Sequence, residues 1–364
     1  MYRSVHTRFA CAFLTRRACK DKLEAMEISR ALSRFPEVPA GAAEGARPSS
    51  DGLINATWLV GDGFVLQRVS PIFGADVNHD ILALTACLRA RGVPVPRLLL
   101  ADDGQPFVEE EGIWRVMTRL PGRTLHRVTA PSQARAAAGL VARFHQALEG
   151  SEHRFAFSRP GAHDTPAHMR ALGAAVTVHA DHRLVGAVAP LAAEIVDRWE
   201  ALSPAETLPR QIVHGDLKIS NILFDAEDHA VGLIDLDTMA WSDLEVELGD
   251  ALRSWCSTTT EDAPDPELDV AVFEAAVTGY AEATDGLAAT HGRAFVRGIE
   301  RITLELSARF AADALAESYF GWSPAIAPTR GEHNLVRATN QLRLARQVAD
   351  QRDALSTIVR RVCS

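Results

Sequence analysis

Polar side chains crowd a short stretch between two apolar runs, QIVHGDLKISNILFD, residues 211–225. Within it, His214, Asp216 and Asn221 follow the spacing H-x-D-x-x-x-x-N, which is typical of loops that catalyse phosphoryl transfer. This chemistry requires a carboxylate beside the attacking hydroxyl and oxygen ligands for Mg²⁺. We therefore predict that Asp216 accepts or orients the proton of an acceptor hydroxyl, and that Asn221 binds Mg²⁺ through its amide oxygen.

The rest of the predicted catalytic set lies close by in the chain. Lys218 could neutralise charge on the moving phosphoryl group, and the side chain of His214 is expected to brace the loop rather than shuttle protons. The next apolar run ends in IDLD, residues 234–237. This places Asp235 where such enzymes keep a metal-binding aspartate. Asp237 is expected either to assist it or to bond the backbone. An isolated aspartate-rich turn is usually only solvated, so the prediction depends on the loop, the hairpin and the second aspartate occurring in this order.

The first third of the chain has the pattern of a small sheet with one helix. Two β-rich runs, LINATWLV and GFVLQRV, are separated by the turn signal GDG. The segment ADVNHDILALTACLRARG then has the apolar period of an amphipathic helix. Two more strand candidates follow, PRLLLA and IWRVMTRL, and the second ends at a Pro-Gly pair.

From residue 131 onward the apolar period is mostly helical, except where NILF and AVGLIDLD flank a turn as in a hairpin. A small antiparallel β lobe with one helix, followed by a larger, mainly helical lobe, is the layout of a bilobal, protein-kinase-like α+β fold. We divide the chain into a basic, dispensable extension (residues 1–25), a β-rich nucleotide-binding lobe (26–120) and a helical lobe (121–364). The helical lobe should carry the catalytic loop and the acceptor site.

Composition limits the classes of function. The chain has 364 residues, of which 47% are hydrophobic and 23% charged, enough for two lobes with full cores. A formal net charge of -9 gives no electrostatic reason to expect nucleic acid as a partner. No apolar run is long enough to span a membrane. The five cysteines are scattered and lack metal-type spacing, which favours reduced thiols and a cytoplasmic location; the oligomeric state stays open.

The motif HGDLKISN together with IDLD resembles the aminoglycoside phosphotransferase and choline kinase superfamily, which has Gly after the catalytic-loop His. Further stretches are similar to the N-acetylhexosamine 1-kinase group, in which ATP phosphorylates the anomeric hydroxyl of a sugar: GLINATWLV, FVLQRVSPIF, ELGDALR, ITLELSARF, ESYF and HNLVRATNQL. The resemblance runs from about Gly52 to the C-terminus. It implies ATP and Mg²⁺ as cofactors and a small-molecule acceptor, with a sugar expected first.

Other acceptors and one other class of protein stay open. The acceptor could instead be an aminoglycoside, choline or a homoserine-type metabolite, because sugar selection depends on a pocket assembled from distant helices. A nucleotide-binding pseudokinase is the alternative from a different class. Such a protein has no chemical need to keep Asp216, Asn221 and Asp235 together, so we favour the enzyme.

The resemblance also implies residues for the nucleotide. Arg68 occupies the place of the β-strand lysine that holds the phosphates, and arginine can grip phosphate with two parallel hydrogen bonds. The helix acid that should pair with it is Asp80, with Asp76 as the alternate. The phosphate-covering turn lacks a full glycine-rich pattern and leaves Asp51, Gly52 and Asn55 as candidates, with a polar linker as the alternative for this segment.

The last candidates belong to the adenine and acceptor sites. Backbone groups of Thr118 to Leu120, in the connection between the lobes, are expected to bond the adenine edge. In the segment FSRPGAHDTPAH, His163, Asp164 and Thr165 are candidates for recognising acceptor hydroxyls. Asp164 followed by Thr165 and a proline is equally typical of a helix start.

Overall fold

The structure is a computed structural model that describes residues 22–49, 54–158, 161–202, 210–284 and 287–363. The chain divides into two units. The first contains the described residues up to Cys87, Val95–Leu120 and Phe155–Phe157, and the second contains Leu88–Pro94, Pro121–Arg154 and the described residues from Ser158 onward. Two short segments, 88–94 and 155–157, therefore cross the division that we draw at residue 120.

The first unit is built on a five-stranded antiparallel sheet in the order β1-β2-β3-β5-β4. Its strands are β1 (Ala46–Pro48), β2 (Ala56–Val60), β3 (Phe64–Val69), β4 (Val108–Glu109) and β5 (Ile113–Thr118). Three of the four predicted strands are found here. The fourth, PRLLLA, forms only an isolated bridge between Leu98 and Met117.

Among the residues that the structure describes, two α-helices accompany this sheet, one more than the sequence predicts. Helix α1 covers the described residues 22–33, so it includes residues 22–25 of the segment that we assign to the extension. It buries Ile28 and Leu32 in one core with Leu66 and Trp114 of the sheet. Each such fully buried side chain stabilises the fold by about 1.5–3 kcal/mol. Helix α2 (Val77–Ala90) is the amphipathic helix that the sequence predicts.

The second unit is mainly helical and carries two small sheets. Strands β6, β8 and β9 form one antiparallel sheet, and β7 pairs with β10 in the other; the bounds are β6 Arg123–Thr124, β7 Arg210–Val213, β8 Ile222–Phe224, β9 Ala230–Leu233 and β10 Ala240–Asp243. The predicted hairpin is β8 and β9. The helices are α3 Pro131–Leu148, α4 Thr165–Val178, α5 Val185–Ala201, α6 Leu244–Trp255, α7 Val270–Glu282, α8 Leu287–Ala316, α9 Arg330–Asp350 and α10 Arg352–Cys363.

Helix α8 is the centre of this unit, because α4, α5, α6 and α9 all pack against it. It crosses α6 at a pair of glycines: a Cβ at Gly249 would lie 2.3 Å from the carbonyl oxygen of Gly298. Only glycine permits so close an approach of two backbones. The crossing fixes the position of α6, which contributes side chains to the site described next. No described helix is both long and apolar enough to cross a membrane.

Candidate active site

The catalytic loop, residues 214–221, connects β7 to β8 and is tied to the turn after β9. Gly215 has φ +80°, and a Cβ there would lie 2.5 Å from the carbonyl oxygen of Thr238. The Thr238 hydroxyl in turn donates to the carbonyl of His214 at 2.8 Å. Both the left-handed backbone and the close contact require glycine. This explains why Gly stands after the loop histidine.

Four of the predicted residues meet in this loop and turn. The Lys218 ammonium lies 2.6 Å from a carboxylate oxygen of Asp216 and 3.9 Å from one of Asp235. The Asn221 amide nitrogen donates to the backbone carbonyl of Asp216 at 2.7 Å and to its carboxylate at 3.1 Å. That leaves the Asn221 amide oxygen as the atom that could bind a cation. Burial acts to lower the pKa of Lys218, but the charges of Asp216 and Asp235 raise it above its ordinary value, so the ammonium stays protonated.

The donor set around Asp235 fits a divalent cation. Asp235 has φ 65° and ψ 58°, a left-handed conformation that Asp adopts more readily than most residues and that is often found at functional sites. Burial, together with the charge of the buried Asp237, raises the pKa of the Asp235 carboxyl group. Two carboxylates, those of Asp216 and Asp235, share the one ammonium of Lys218. Carboxylate and amide oxygens are ligands that Mg²⁺ prefers.

The His214 side chain is fully buried and uses both ring nitrogens. Its Nδ1 accepts from the backbone N–H of Asp216 at 3.3 Å, so its Nε2 carries the proton and donates to the carbonyl of Ile234 at 2.9 Å. The imidazole thus joins the catalytic loop to the end of β9. This is the arrangement that the predicted bracing role requires.

Two of the three predicted acceptor residues, His163 and Thr165, take part in one polar network at the start of α4. His163 Nδ1 lies 3.0 Å from one oxygen of the buried Glu305, and the Thr165 hydroxyl donates to its other oxygen at 2.5 Å. Arg301 donates to the Thr165 oxygen and to Glu245, each at 3.0 Å. Each charged group in this network therefore has an opposite charge or a hydroxyl beside it.

Asp164 is placed differently from its two neighbours. Its carboxylate caps helix α4 by accepting from the backbone N–H of Ala167 at 2.9 Å. Asp164 therefore stands at a helix start, which is the alternative position that the sequence allows for it. A cap of this kind stabilises a helix by roughly 1 kcal/mol.

In the first unit, Arg68 does not pair with Asp80 or Asp76 within the described residues. Its guanidinium lies 3.5 Å from Glu27 of α1 and 5.5 Å from the centre of the Trp114 ring. Because side chains alternate along a strand, Arg68 shares a sheet face with Leu66, which belongs to the core under α1. The predicted ion pair with helix α2 is therefore wrong.

The other predicted nucleotide residues already have partners within the first unit. Asp80 accepts from the backbone N–H groups of Ala156 and Phe157, each at 2.9 Å. The Asn55 amide oxygen accepts from the backbone N–H of Ser70 at 2.8 Å. Asp51 and Gly52 lie outside the described residues.

In the predicted adenine-binding segment, two backbone donors are also engaged. The N–H of Thr118 donates to the carbonyl of Arg97 and that of Arg119 to the carbonyl of Gly63, at 2.9 and 2.8 Å. The backbone of Leu120 is left as our candidate for the adenine edge. The role of this segment in nucleotide binding stays a prediction.

Comparison with known proteins places this geometry in a family. Residues 45–287 match APH, the phosphotransferase enzyme family. The chain belongs to the phosphotransferase enzyme family. It is 31% identical over 243 residues to the homoserine kinase of Gluconacetobacter diazotrophicus, and the match covers 64% of this chain and 70% of that kinase. The prediction of a small-molecule kinase is thereby confirmed, while its acceptor is not identified by the match.

Solved structures show that the phosphotransferase has the predicted kinase-like α+β fold. An aminoglycoside phosphotransferase from Alicyclobacillus acidocaldarius superposes with a TM-score of 0.60 at 15% identity, covering 90% of this chain and 96% of that one. An amicoumacin kinase in complex with AMP-PNP, Ca²⁺ and Ami gives 0.57 at 12% identity, covering 96% of each chain.

Two carboxylates that support the phosphotransferase site escape the sequence analysis, although both lie on α6. Glu247 is buried and accepts from the backbone N–H groups of His214 and Gly215, at 2.7 and 2.9 Å. Asp250 acts electrostatically on both Lys218 and His163: burial acts to lower the pKa of each, and nearby carboxylates including Asp250 raise it. The sequence does contain a signal for them, because each is an acidic residue within the apolar stripe of a helix. Such residues are almost never fully buried unless they are paired.

Proposed function

We propose that the chain transfers the γ-phosphoryl group of Mg·ATP to a hydroxyl of a small molecule, with Asp216 as the group that orients the hydroxyl and takes its proton. The observation that carries the proposal is the meeting of Asp216, Lys218, Asn221 and Asp235 in one braced loop and turn. Asn221 and Asp235 would hold Mg²⁺, which when bound neutralises charge on the phosphates. The Lys218 ammonium, which lies 2.6 Å from the Asp216 carboxylate, would offset negative charge on the transferred phosphoryl group.

Three further observations support the proposed cofactors, location and class of acceptor. The amicoumacin kinase of the same fold was solved with the ATP analogue AMP-PNP and Ca²⁺, which supports a nucleotide and a divalent cation as cofactors. The odd number of scattered cysteines supports the reducing cytoplasm as the location. The acceptor is a small molecule rather than nucleic acid, in keeping with the net charge of -9.

For the acceptor, we propose a sugar phosphorylated on its anomeric hydroxyl. In this network Glu305 is bonded by His163 and Thr165, and the guanidinium of Arg301 is paired with Glu245. Such a network offers hydrogen bonds to neutral hydroxyl groups without requiring a charged ligand. An anomeric hydroxyl is more acidic than an ordinary alcohol, so a carboxylate is an adequate partner for it.

Homoserine is the second candidate, and the curated relative favours it. Homoserine carries an ammonium and a carboxylate group, and a buried site that binds it needs charges of its own that are not already paired. The charge compensation around Glu305 therefore favours the sugar. An acceptor panel separates the two proposals directly.

Our first prediction is that N-acetylglucosamine or a related free hexosamine supports ADP release from Mg·ATP, and that its methyl glycoside does not. Blocking the anomeric oxygen removes the attacking group, so turnover should fall to the level measured without acceptor. Phosphorus NMR should show a sugar 1-phosphate. Deoxy analogues should react at least about 10²-fold more slowly, because polar groups of the site would be left unpaired.

The same panel, extended with homoserine, choline and kanamycin, identifies the alternatives. A methyl glycoside that is still phosphorylated, or phosphate on a ring hydroxyl, would overturn the 1-kinase proposal and leave the phosphotransferase chemistry standing. A wild-type enzyme that phosphorylates homoserine and no sugar would establish the second candidate.

Our second prediction concerns the cation that holds the nucleotide phosphates in the first unit. Arg115 lies on the sheet face opposite Arg68 and donates to Gln67 at 2.9 and 2.7 Å and to Asn78 of α2 at 3.3 Å. Arg115 therefore contacts α2, the helix on which we predict an acidic partner for Arg68, although its partner there is the neutral Asn78. We expect Arg115→Met to weaken Mg·ATP binding by about tenfold or more, and Arg68→Met by less than about threefold.

Calorimetric titration with Mg·ATP measures both variants. Because Arg115 is buried, Arg115→Lys is included as a variant that keeps the charge, and thermal unfolding shows whether each protein is folded. Weak binding in Arg68→Met together with normal binding in a folded Arg115→Met would restore the phosphate role to Arg68.

A further inference from the structure

A chain of buried polar side chains connects helix α7 to the catalytic loop. The Tyr280 hydroxyl of α7 lies 2.9 Å from Nδ1 of His145 on α3, and Nε2 of His145 lies 3.2 Å from a carboxylate oxygen of Glu247 on α6. Glu247 then accepts the backbone N–H groups of His214 and Gly215. Tyr280, His145 and Glu247 are each only 1% exposed.

Proton positions along this chain follow from its partners. Burial, reinforced by the charge of Glu247, raises the pKa of Tyr280, so its hydroxyl keeps the proton and donates to Nδ1 of His145. The other nitrogen, Nε2, then carries a proton and donates to Glu247. Burial acts to raise the pKa of Glu247, but the hydrogen bond from His145 and other contacts hold it below its ordinary value. The carboxylate is therefore ionised and both of its oxygens accept hydrogen bonds.

The contact of Glu247 with two successive backbone groups matters because of where they lie. Gly215 is the residue with φ +80° whose position is limited by Thr238, and Asp216 follows it directly. A rotation of the Glu247 carboxylate would move the backbone on which the Asp216 side chain is mounted. Groups that react must be held close to their productive geometry, and small displacements cost much of the rate.

We propose that Tyr280 and His145 are positioning residues that act through Glu247: they fix the orientation of its carboxylate and thereby the position of Asp216. The proposal rests on the phosphotransferase function assigned to Asp216. Buried hydrogen-bonded networks of this kind strengthen one another when every member is satisfied. The loss of a distant member therefore reaches the catalytic loop, although Tyr280 touches no reacting group.

The experiment compares Tyr280→Phe, His145→Gln and Glu247→Gln with a matched control, His182→Gln. His182 is a histidine that also lies beside a glutamate, but its Nε2 is 3.1 Å from Glu317, which is not a member of this chain of hydrogen bonds. We expect kcat to fall about three- to tenfold in Tyr280→Phe and about tenfold to a hundredfold in Glu247→Gln, because the Gln amide can accept only one of the two backbone N–H groups. The Kd of Mg·ATP should stay within about twofold of the wild-type value.

A second readout does not depend on turnover. In protein labelled with ¹⁵N-glycine, the Gly215 amide proton, bonded to a carboxylate, should resonate downfield and should move upfield in Tyr280→Phe and Glu247→Gln but not in His182→Gln. The effects on kcat of Tyr280→Phe and His145→Gln should also be less than multiplicative in the double variant, because both act through one chain. Tyr280→Phe removes a single oxygen atom and keeps the test valid if Glu247→Gln does not fold.

Three results would overturn the proposal. One is a Tyr280→Phe protein with a lowered Tm but with kcat and the Gly215 resonance unchanged, which would make the chain merely structural. Another is a moved resonance with unchanged kcat, and the third is strictly multiplicative kcat effects. If the wild type transfers phosphate to no acceptor, the phosphotransferase function fails instead, and the Gly215 resonance still shows whether Tyr280 acts on the loop.

Discussion

Replacement of Asp216 by Asn is expected to lower kcat by roughly 10²–10⁴-fold, the range for loss of a general base. Asn has the same shape as Asp. Asn221 and Lys218 both donate to one carboxylate oxygen of Asp216, and the amide oxygen of Asn can accept both hydrogen bonds, so the loop keeps its conformation. The lost function is the acceptance of the hydroxyl proton, which matters in the transition state and little in the ground state. Steady-state kinetics with the acceptor found in the panel measure the effect.

The matched control for this variant is Asp265→Asn, an exposed aspartate paired with Arg343. It should have wild-type kcat and Tm. The Kd of Mg·ATP should be within about threefold of wild type in both variants. An Asp216→Asn enzyme that turns over at close to the wild-type rate would show that another group takes the proton.

Replacement of Asp235 by Asn is expected to weaken Mg²⁺-dependent ATP binding by more than about tenfold, and to lower kcat by at least a similar factor. The carboxylate contributes the negative charge that a divalent cation requires, and an amide does not replace it. Asn is a better test than Ala here, because Asn tolerates the φ of 65° that residue 235 adopts. Calorimetry with ATP in the presence and absence of Mg²⁺ isolates the metal contribution.

The neighbouring Asp237 provides the comparison. Asp237→Asn should disturb Mg·ATP binding less, because we assign the direct ligand role to Asp235 and an assisting role to Asp237. Normal Mg·ATP binding in Asp235→Asn, combined with its loss in Asp237→Asn, would transfer the ligand role to Asp237. Circular dichroism and Tm confirm that both proteins are folded before the comparison is made.

The catalytic loop and the β8–β9 hairpin could be predicted from sequence because their determinants are local. Polar residues at fixed offsets stand between short apolar runs, and the hairpin brings Asp235 back toward the loop within about twenty residues. Gly215 belongs to the same class of signal. The sequence shows a glycine after His214, and the structure supplies the reason in the positive φ and the nearby carbonyl of Thr238.

The partner of Arg68 could not be predicted from the local sequence. Strand side chains alternate with a period of two, so the sequence QRV offers Gln67 to one face of the sheet and Arg68 to the other. Which face meets helix α2 depends on where α1 packs, and that packing joins residues far apart in the chain. Only the tertiary structure places Arg68 beside Glu27 and puts Arg115 in contact with Asn78.

The support behind the loop was also decided by tertiary structure alone. His145, Glu247 and Tyr280 come from three helices. His145 is 102 residues from Glu247 and 135 residues from Tyr280 in the sequence. From sequence, each is a single polar residue within an apolar stripe, and helical periodicity does not say which partner it will find. The partners are set by how α3, α6 and α7 pack, because a buried polar group is stable only where that packing gives it a hydrogen bond.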